Sequence, residues 1–528
     1  MGETIFSPRY YFAIDWVFPP DNGIEAFYGL LGHDPFIYSL TPFLLIVEGL
    51  EVFCPAWMLQ KTVIFLIFFI SGISGFKLLE GTPLSARYFA GILYAINPFT
   101  YVRFLSGQWV NLMAYAFMPL AALSFMRLLD RRNVRSFLSC VLWSTAVSFF
   151  NPQFALLSFI LYFFLLASFV LSNRKLTTLK ETFKYVILLI IFYQLINAYW
   201  IIPLLSTQKL PIERFTNLDA YVFSAKPQIQ NIYVTILSLH GFWREGYIYT
   251  FMLIPGWHIF SIGFLLLAIV GFIYYCKRKE LKFAHHVKGF GSCIVFSTAM
   301  ATGVHGFLSP IYLFLFENFD LFTLFRDSQK FVSLIILGYA YLGGLGFSKI
   351  LDWSKTSKKR KLYGGFFSTL IILLPFLYQF NMPLAFSGQV KTYDYPTSWH
   401  RINNFLNSDE EDFNVLFLPW HKYMYFFWVK SNIANPAKYF FDKPVIQADN
   451  IEVGPIYTHS THPAQQYLDY LLAKAPQLHN LGELLTPLNV KYVILAKEAD
   501  YTNYLYLYNQ TDLNPVFENE DLIVFRNE

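Results

Sequence analysis

Charge is scarce in this sequence. Only 14% of its 528 residues are Asp, Glu, Lys or Arg, against 55% hydrophobic, and the mean hydropathy is +0.40. So little charge excludes an ordinary soluble multidomain protein and points to a polytopic membrane protein. Cysteine is also sparse. Cys54, Cys140, Cys276 and Cys293 lie far apart, and Cys140 and Cys293 fall in apolar runs where a thiol acts as a small hydrophobe. Neither a disulfide framework nor a cysteine metal centre is implied. No Walker or Rossmann glycine pattern follows a strand-like run, so a nucleotide-phosphate cradle is not indicated. Residues 1–35 hold Asp15, Asp21, Glu25 and Asp34 and no continuous apolar stretch, which is not the pattern of a cleavable signal. A basic footprint for nucleic acid is lacking as well. Residues 1–382 carry 30 basic and 18 acidic residues and the remainder 10 and 17, and the excess sits in short clusters between apolar runs, a pattern that orients helices in a bilayer.

What is abundant is long apolar runs. Segments near 57–79, 85–102, 111–129, 152–171, 184–205, 253–275, 288–305, 332–351 and 363–381, with a shorter one over 136–150, are candidates to cross roughly 30 Å of hydrocarbon. Ten spans put four cationic loops on one face: Arg131, Arg132 and Arg135; Arg174, Lys175, Lys180 and Lys184; Lys277, Arg278, Lys279 and Lys282; Lys355 and Lys358 to Lys361. The positive-inside rule makes that face cytoplasmic. It leaves residues 1–56, 103–110, 206–252, 306–331 and everything after about 382 outside. Pro42 and Glu48 argue that residues 36–53 form an interfacial or re-entrant helix. The expected architecture is an α-helical polytopic membrane protein of about ten spans. It divides into an extracytoplasmic catalytic-type loop over 1–56, a transmembrane domain over 57–381 and a small α/β or α+β extracytoplasmic domain over 382–528. In that last domain β-prone runs at 414–418, 491–495 and 522–525 alternate with a helix-like stretch over 463–485. Asn509-Gln510-Thr511 is a weak glycosylation sequon on the same side.

Nearly all candidate chemistry falls on the outer face. Asp15 sits among apolar and aromatic neighbours (Ala13-Ile14-Asp15-Trp16-Val17-Phe18), where partial desolvation would make it a better base. An ordinary loop carboxylate paired with Arg9 would look the same. Asp34 follows in His33-Asp34-Pro35, and the two acids together could hold a divalent cation, although Asp before Pro also forms turns. The run from Asn97 to Trp109 places Arg103, Gln108 and Trp109 at a membrane boundary, where cations and amides can meet phosphate or sugar hydroxyls, or where Arg merely snorkels beside a belt Trp. Arg326 and Lys330 are four apart in Leu324-Phe325-Arg326-Asp327-Ser328-Gln329-Lys330. A helix would put both on one face, presenting an anion site, or else a solvated cluster with Asp327. Tyr221, Tyr233, His240, Trp243, Arg244, Glu245, Tyr247 and Tyr249 suit stacking on and hydrogen bonding to sugars, as they suit an aromatic belt. His459 with His462, and His285 with His286, read as surface pairs.

These residues carry a resemblance. The Asn97-Pro98-Phe99 to Gln108-Trp109 run, Phe325-Arg326-Asp327 to Lys330 and an early outward Asp resemble the membrane-embedded GT-C glycosyltransferases, in particular the large mycobacterial arabinofuranosyltransferases and their archaeal relatives, over roughly residues 10–350. The resemblance implies a polyprenyl-phosphate sugar donor and a catalytic base at the position of Asp15. Such enzymes carry a first span ahead of the catalytic loop and larger outer extensions than the tail here. The corresponding expectation is either a further apolar segment upstream of Met1 or its loss.

The chemistry so implied is direct, inverting displacement. An extracytoplasmic glycan or glycolipid acceptor hydroxyl attacks the anomeric carbon, Asp15 takes its proton, and the leaving phosphate meets Arg326 and Lys330 with help from Arg103. Beyond membrane lipid, the donor and the acceptor, no partner is implied, and no cofactor other than a divalent cation at Asp15 and Asp34. Two other classes fit the composition: an inactive scaffold of a glycan-assembly complex, and a carrier or flippase for lipid-linked glycans. The few ionisable residues inside the spans count against a coupled carrier.

Overall fold

Capping residues and prolines cut the apolar runs into shorter pieces than hydropathy alone suggests. The computed structural model describes residues 7–18, 35–173, 175–206, 215–277, 284–354 and 358–528. Asp34 and part of the cationic loops, Arg174, Arg278, Lys279, Lys282 and Lys355 included, lie outside them. The chain divides into two compact units, a sheet unit of residues 1–62, 207–215 and 390–528 and a helical unit of residues 63–206 and 216–389. The sequence-based division kept residues 1–56 apart from the tail, whereas the contacts put both in the sheet unit.

The protein is integral to the membrane. Among the described residues five helices are long and apolar enough to cross: Ala56–Leu78, Trp109–Arg131, Pro152–Ser172, Trp257–Cys276 and Ser328–Trp353. Leu176–Ile196 with Ala198–Ser206, bent by 75°, makes a sixth if the pair is one span. The ten runs are thus not all confirmed as spans, and local chemistry explains the shortfall. The 85–102 run is two helices, Leu84–Ala95 and Pro98–Leu105. They are split at Asn97, whose Oδ1 accepts from the Thr100 amide (3.0 Å) while Pro98 takes the first helical position. Val134–Phe150 has 17 residues, and the last helix is apolar only over Gly364–Tyr378. Inside the helical unit, Ser261–Cys276 and Ser328–Trp353 approach so closely that a Cβ on Gly271 would lie 2.0 Å from the Leu342 carbonyl oxygen, and one on Gly346 2.0 Å from that of Leu267. Small residues at such crossings let backbones touch where lipid offers no hydrophobic drive.

The sheet unit is built on alternation. Its five-stranded sheet has the order Leu513–Glu518, Leu522–Asn527, Val490–Ala496, Asn414–Leu418, Val445–Ile446. The first two pairings are antiparallel and the last two are parallel. Side chains point to opposite faces in turn. Val415, Phe417, Ile494 and Val524 therefore join one core with Trp399, Ile402 and Leu406 of the Thr397–Asn407 helix. Leu416, Leu418, Val493 and Phe525 join the other with Leu468, Leu471 and Leu472 of Pro463–Lys474. Sheets with parallel pairs need both faces covered in this way. All three runs expected as strands are strands, and the expected 463–485 helix is interrupted by a 3-10 turn at Ala475–Gln477 that contains Pro476.

The N-terminal segment is part of this unit. Tyr10–Tyr11 pairs antiparallel with Thr392–Tyr393, and Phe12 and Val17 enter the core beside Tyr395. Gln60 fixes it further, accepting from the Tyr11 amide (2.8 Å) and donating to its carbonyl (2.7 Å). Thr41–Glu51, at 11 residues, is about 16 Å long and too short to span. Leu45, Ile46 and Leu50 are exposed on it, as an interfacial helix requires.

Candidate active site

In the helical unit the chemistry gathers around residues 326–330. The Asn97 cap sets the start of Pro98–Leu105, and Asn97 also donates to the Leu93 and Tyr94 carbonyls (2.9 and 3.0 Å), so both helices are fixed where Arg103 emerges. Arg103 is fully buried. Its Nη2 donates to Asp327 Oδ1 (2.9 Å) and Gln329 Oε1 (2.5 Å), its Nε to Gln329 Oε1 (3.1 Å), and its Nη1 to Gln108 Oε1 (2.6 Å) and Asp327 Oδ2. The rings of Phe242 and Phe99 lie 4.6 and 5.1 Å from the guanidinium carbon. Guanidinium has five N–H groups, and these bonds use them all. Arg103 was expected to help bind phosphate; instead it is spent holding Asp327, Gln329 and Gln108. Gln108 also accepts from Asn111 (3.0 Å), and Trp109 is buried at the start of its helix.

Arg326 and Lys330 were expected to share one helical face. Residues 326 and 327 instead form a bend between two 3-10 turns, Asp320–Phe325 and Ser328–Phe331. Arg326 donates to Asp219 Oδ1 (2.6 Å) and stands 4.2 Å from the centre of the Phe223 ring, and the Lys330 ammonium donates to Gln153 Oε1. Lys330 and Asp327 are buried, so a merely solvated charge cluster does not describe them. The segment is pinned at Ser328, whose Oγ accepts from the Ala225 amide (2.9 Å) and donates to the Ala301 carbonyl (3.0 Å). Gly303, at φ +53°, permits this, because a Cβ there would lie 1.8 Å from Ser224 Oγ and 2.7 Å from Ser328 Oγ. Asp219, the partner of Arg326, escaped sequence reasoning; Thr216 three residues before it is a capping-box signal that could have drawn attention to it.

His240 packs among aromatic rings, with its Nε2 buried and making no hydrogen bond among the described residues. It is buried, Nδ1 lies 2.7 Å from the Ser238 carbonyl, and Tyr249, Phe251 and Tyr378 surround it. Burial pulls the imidazole down to about 3, which keeps it neutral. Arg244 is half-buried, next in sequence to Trp243.

In the sheet unit Asp15 occupies the tip of a tight turn closed by mutual amide-to-carbonyl bonds of Ala13 and Trp16 (3.1 Å each). Ala13, Trp16, Val17 and Phe18 are buried and Ile14 half-buried, but the Asp15 carboxylate is exposed and accepts from Tyr423 Oη at 3.1 Å. Desolvation is therefore not what would equip it as a base. Arg9 pairs with Asp394 (3.0 Å) and not with Asp15. A second polar group went unnoticed in the sequence. His421 bridges Glu452 and Asp500 (3.0 Å each), and Trp420 Nε1 donates to Asp469 (2.7 Å). Both follow the C-terminal end of the Asn414–Leu418 strand, the end at which open α/β sheets bind ligands. The Leu418-Pro419-Trp420-His421 run after a β-prone stretch was its signal. His459 is exposed, as read; His462 is half-buried and accepts from the Ala464 amide (3.3 Å) as a helix cap.

No protein-family model and no curated protein matches the sequence. Solved structures do match in fold. The arabinofuranosyltransferase AftD from mycobacteria aligns with 96% of this chain at a TM-score of 0.62 and 13% identity. A point mutant of the same enzyme aligns with 99% at 0.57 and 12%. A weaker likeness, at a TM-score of 0.45 and 11% identity over 96% of the chain and 66% of the other, is to the oligosaccharyltransferase AglB from Archaeoglobus fulgidus, solved with an inhibitory peptide and a dolichol-phosphate. This chain spans 38–40% of the length of the AftD structures. The fold is accordingly like that of the aligned part of AftD.

Proposed function

We propose that this protein is a membrane glycosyltransferase that moves a sugar from a polyprenyl-phosphate donor to an extracytoplasmic glycan or glycolipid acceptor. The observation that carries the reading is the AftD-like fold over 96% of the chain. Fold alone does not dictate function, so the residue chemistry has to agree with it.

In the proposed reaction the acceptor oxygen bonds to the anomeric carbon, the bond from that carbon to the phosphate oxygen breaks, and the donor leaves as a polyprenyl phosphate. Asp15 takes the acceptor's proton, a role its exposed position at a turn tip suits. Arg326 and Lys330 receive the phosphate, whose growing charge is the larger electrostatic demand. Arg103 is a positioning residue: by gripping Asp327 and Gln329 it fixes the bend that presents its two neighbours. In this reading Asp15 and Asp34 can hold a divalent cation, and Asp34, Gln108, Trp109, His240 and Arg244 meet the sugar. Direct displacement inverts the anomeric centre.

The test is donor binding by the purified full chain, followed with a synthetic polyprenyl-phosphate sugar. Arg326→Ala is expected to weaken binding by roughly ten- to a hundredfold, the cost of a hydrogen bond to a charged group. Lys330→Ala should cost less, because guanidinium engages two phosphate oxygens at once. Unchanged affinity in the folded double variant refutes the phosphate site.

A further inference from the structure

The Trp109–Arg131 helix begins beside the Arg103 network and ends, 23 residues on, beside a different group. At about 1.5 Å per residue that end lies roughly 34 Å away, a full membrane thickness. There Asp130 meets His285 and His286, which open the Ala284–Ala301 helix. The sequence read these histidines as surface residues of a cationic loop. In the structure His286 is buried and His285 is largely covered, its backbone carbonyl accepting from Ser168 Oγ at 2.7 Å.

Both imidazole Nε2 atoms approach the same carboxylate oxygen, Asp130 Oδ1, at 3.2 and 3.4 Å. Neither makes an in-line hydrogen bond, nor does the Nδ1 of His286, although the Met126 backbone lies near that ring. Buried imidazoles normally satisfy their nitrogens. The spacing has its own meaning. Ligands at about 2.0–2.1 Å from a tetrahedral zinc stand about 3.3–3.4 Å from one another, close to the separation of each imidazole from the carboxylate, and all three ligand atoms lie within 4.8 Å of one another. The group borders a cavity of about 540 Å³, also lined by Tyr341, whose buried hydroxyl lacks a hydrogen-bond partner. Of the three arginines on its wall, Arg127 pairs with Glu80 and Arg132 with Glu181 (3.7 Å), which offsets the charge of those two; Arg131 is the third.

We propose that Asp130, His285 and His286 form a transition-metal site, zinc first by ligand type, with the fourth position open to the cavity. Two imidazoles and a carboxylate suit zinc, nickel, copper or iron better than magnesium or calcium, which prefer oxygen. Bound there, the metal ties the end of one membrane helix to the start of another. Tyr341 Oη stands on the cavity wall where it can bond a metal-bound water.

The test uses the full chain in detergent without a polyhistidine tag, stripped with a chelator, reloaded with zinc or cobalt chloride and desalted. The wild type is expected to retain one metal per chain and, with cobalt, to show the visible absorption of a tetrahedral centre. His286→Ala and Asp130→Asn should each weaken binding by more than about tenfold, while His459→Ala, at an exposed histidine, leaves it unchanged. His286→Gln, which keeps bulk, guards against loss of fold, and the cobalt spectrum of the wild type needs no variant at all. A wild type that retains neither zinc nor cobalt, or a folded His285→Gln/His286→Gln double variant that binds as well as wild type, overturns the proposal and leaves a plain ion-paired cluster.

Discussion

At the scale of single residues, Arg103 shows why a motif residue is easy to find and hard to interpret. Its position beside a helix break was visible in the sequence; that all five N–H groups point inward was not, because Asp327 and Gln329 lie more than 220 positions away. Removing one partner of such a pair leaves a buried charge, at a cost of about 3–5 kcal/mol. Arg103→Met is therefore expected to lower stability by that order and, because Arg103 holds the bend that presents Arg326 and Lys330, to weaken donor binding by the surviving folded fraction as well. Denaturation in detergent alongside donor binding separates the two. Asp15 presents the reverse case. The sequence marked it by its apolar neighbours, and all but the half-buried Ile14 are buried as expected, but the carboxylate projects outward on a turn.

Among elements, legibility followed the range of the interaction that decides each one. The runs at 414–418, 491–495 and 522–525 were readable as strands because a short β-prone apolar run is a local signal. The division of 85–102 into two helices was partly readable too, since Asn97-Pro98 is a cap followed by a first-turn proline. What could not be read is the bend at residues 326–327, which Ser328, Ala225, Ala301 and Gly303 hold from distant parts of the chain. This bend makes Gly303 a sensitive point. Gly303→Ala should displace Ser224 and Ser328 and cost on the order of 1–3 kcal/mol, as overpacking does. It should also weaken donor binding although residue 303 carries no polar side chain, an effect that titration of donor into the folded variant would reveal. Full donor affinity would detach the bend from the phosphate site.

For the whole molecule, two buried groups in different units give pH-dependence of opposite sign. Glu498 is buried, accepts from the Phe427 amide at 2.7 Å, and is pushed up to about 7 by burial. A carboxyl raised above its unfolded value adds stability that is complete below about pH 4.5 and is lost as pH rises through 7. His240, lowered by burial, acts the other way, its stability being present above about pH 6.5 and lost as pH falls toward 3. Glu498→Gln is expected to flatten the loss of thermal stability between pH 5 and 8, measured on the full chain. A loss as steep as in wild type would assign it elsewhere. Membrane integration was legible from composition alone, whereas the number of spans was not, because helix ends depend on caps and bends that hydropathy does not register. The expected orientation is open to direct labelling: a cysteine at exposed Ser431 should react with an impermeant reagent in intact cells, and one at exposed Ser172 only with a permeant one.

The most direct measurement is sugar transfer itself. Purified full-length protein in lipid is given synthetic polyprenyl-phosphate sugars and a glycan acceptor, and product is followed for the wild type and for Asp15→Asn, which keeps size but cannot take a proton. The wild type is expected to form an inverted glycosidic bond. Asp15→Asn should bind donor as the wild type does and lose about 10²–10⁴-fold in rate, the usual contribution of a general base. Wild-type transfer by Asp15→Asn would remove that residue from the reaction, and no transfer by the wild type with any donor would contradict the account as a whole.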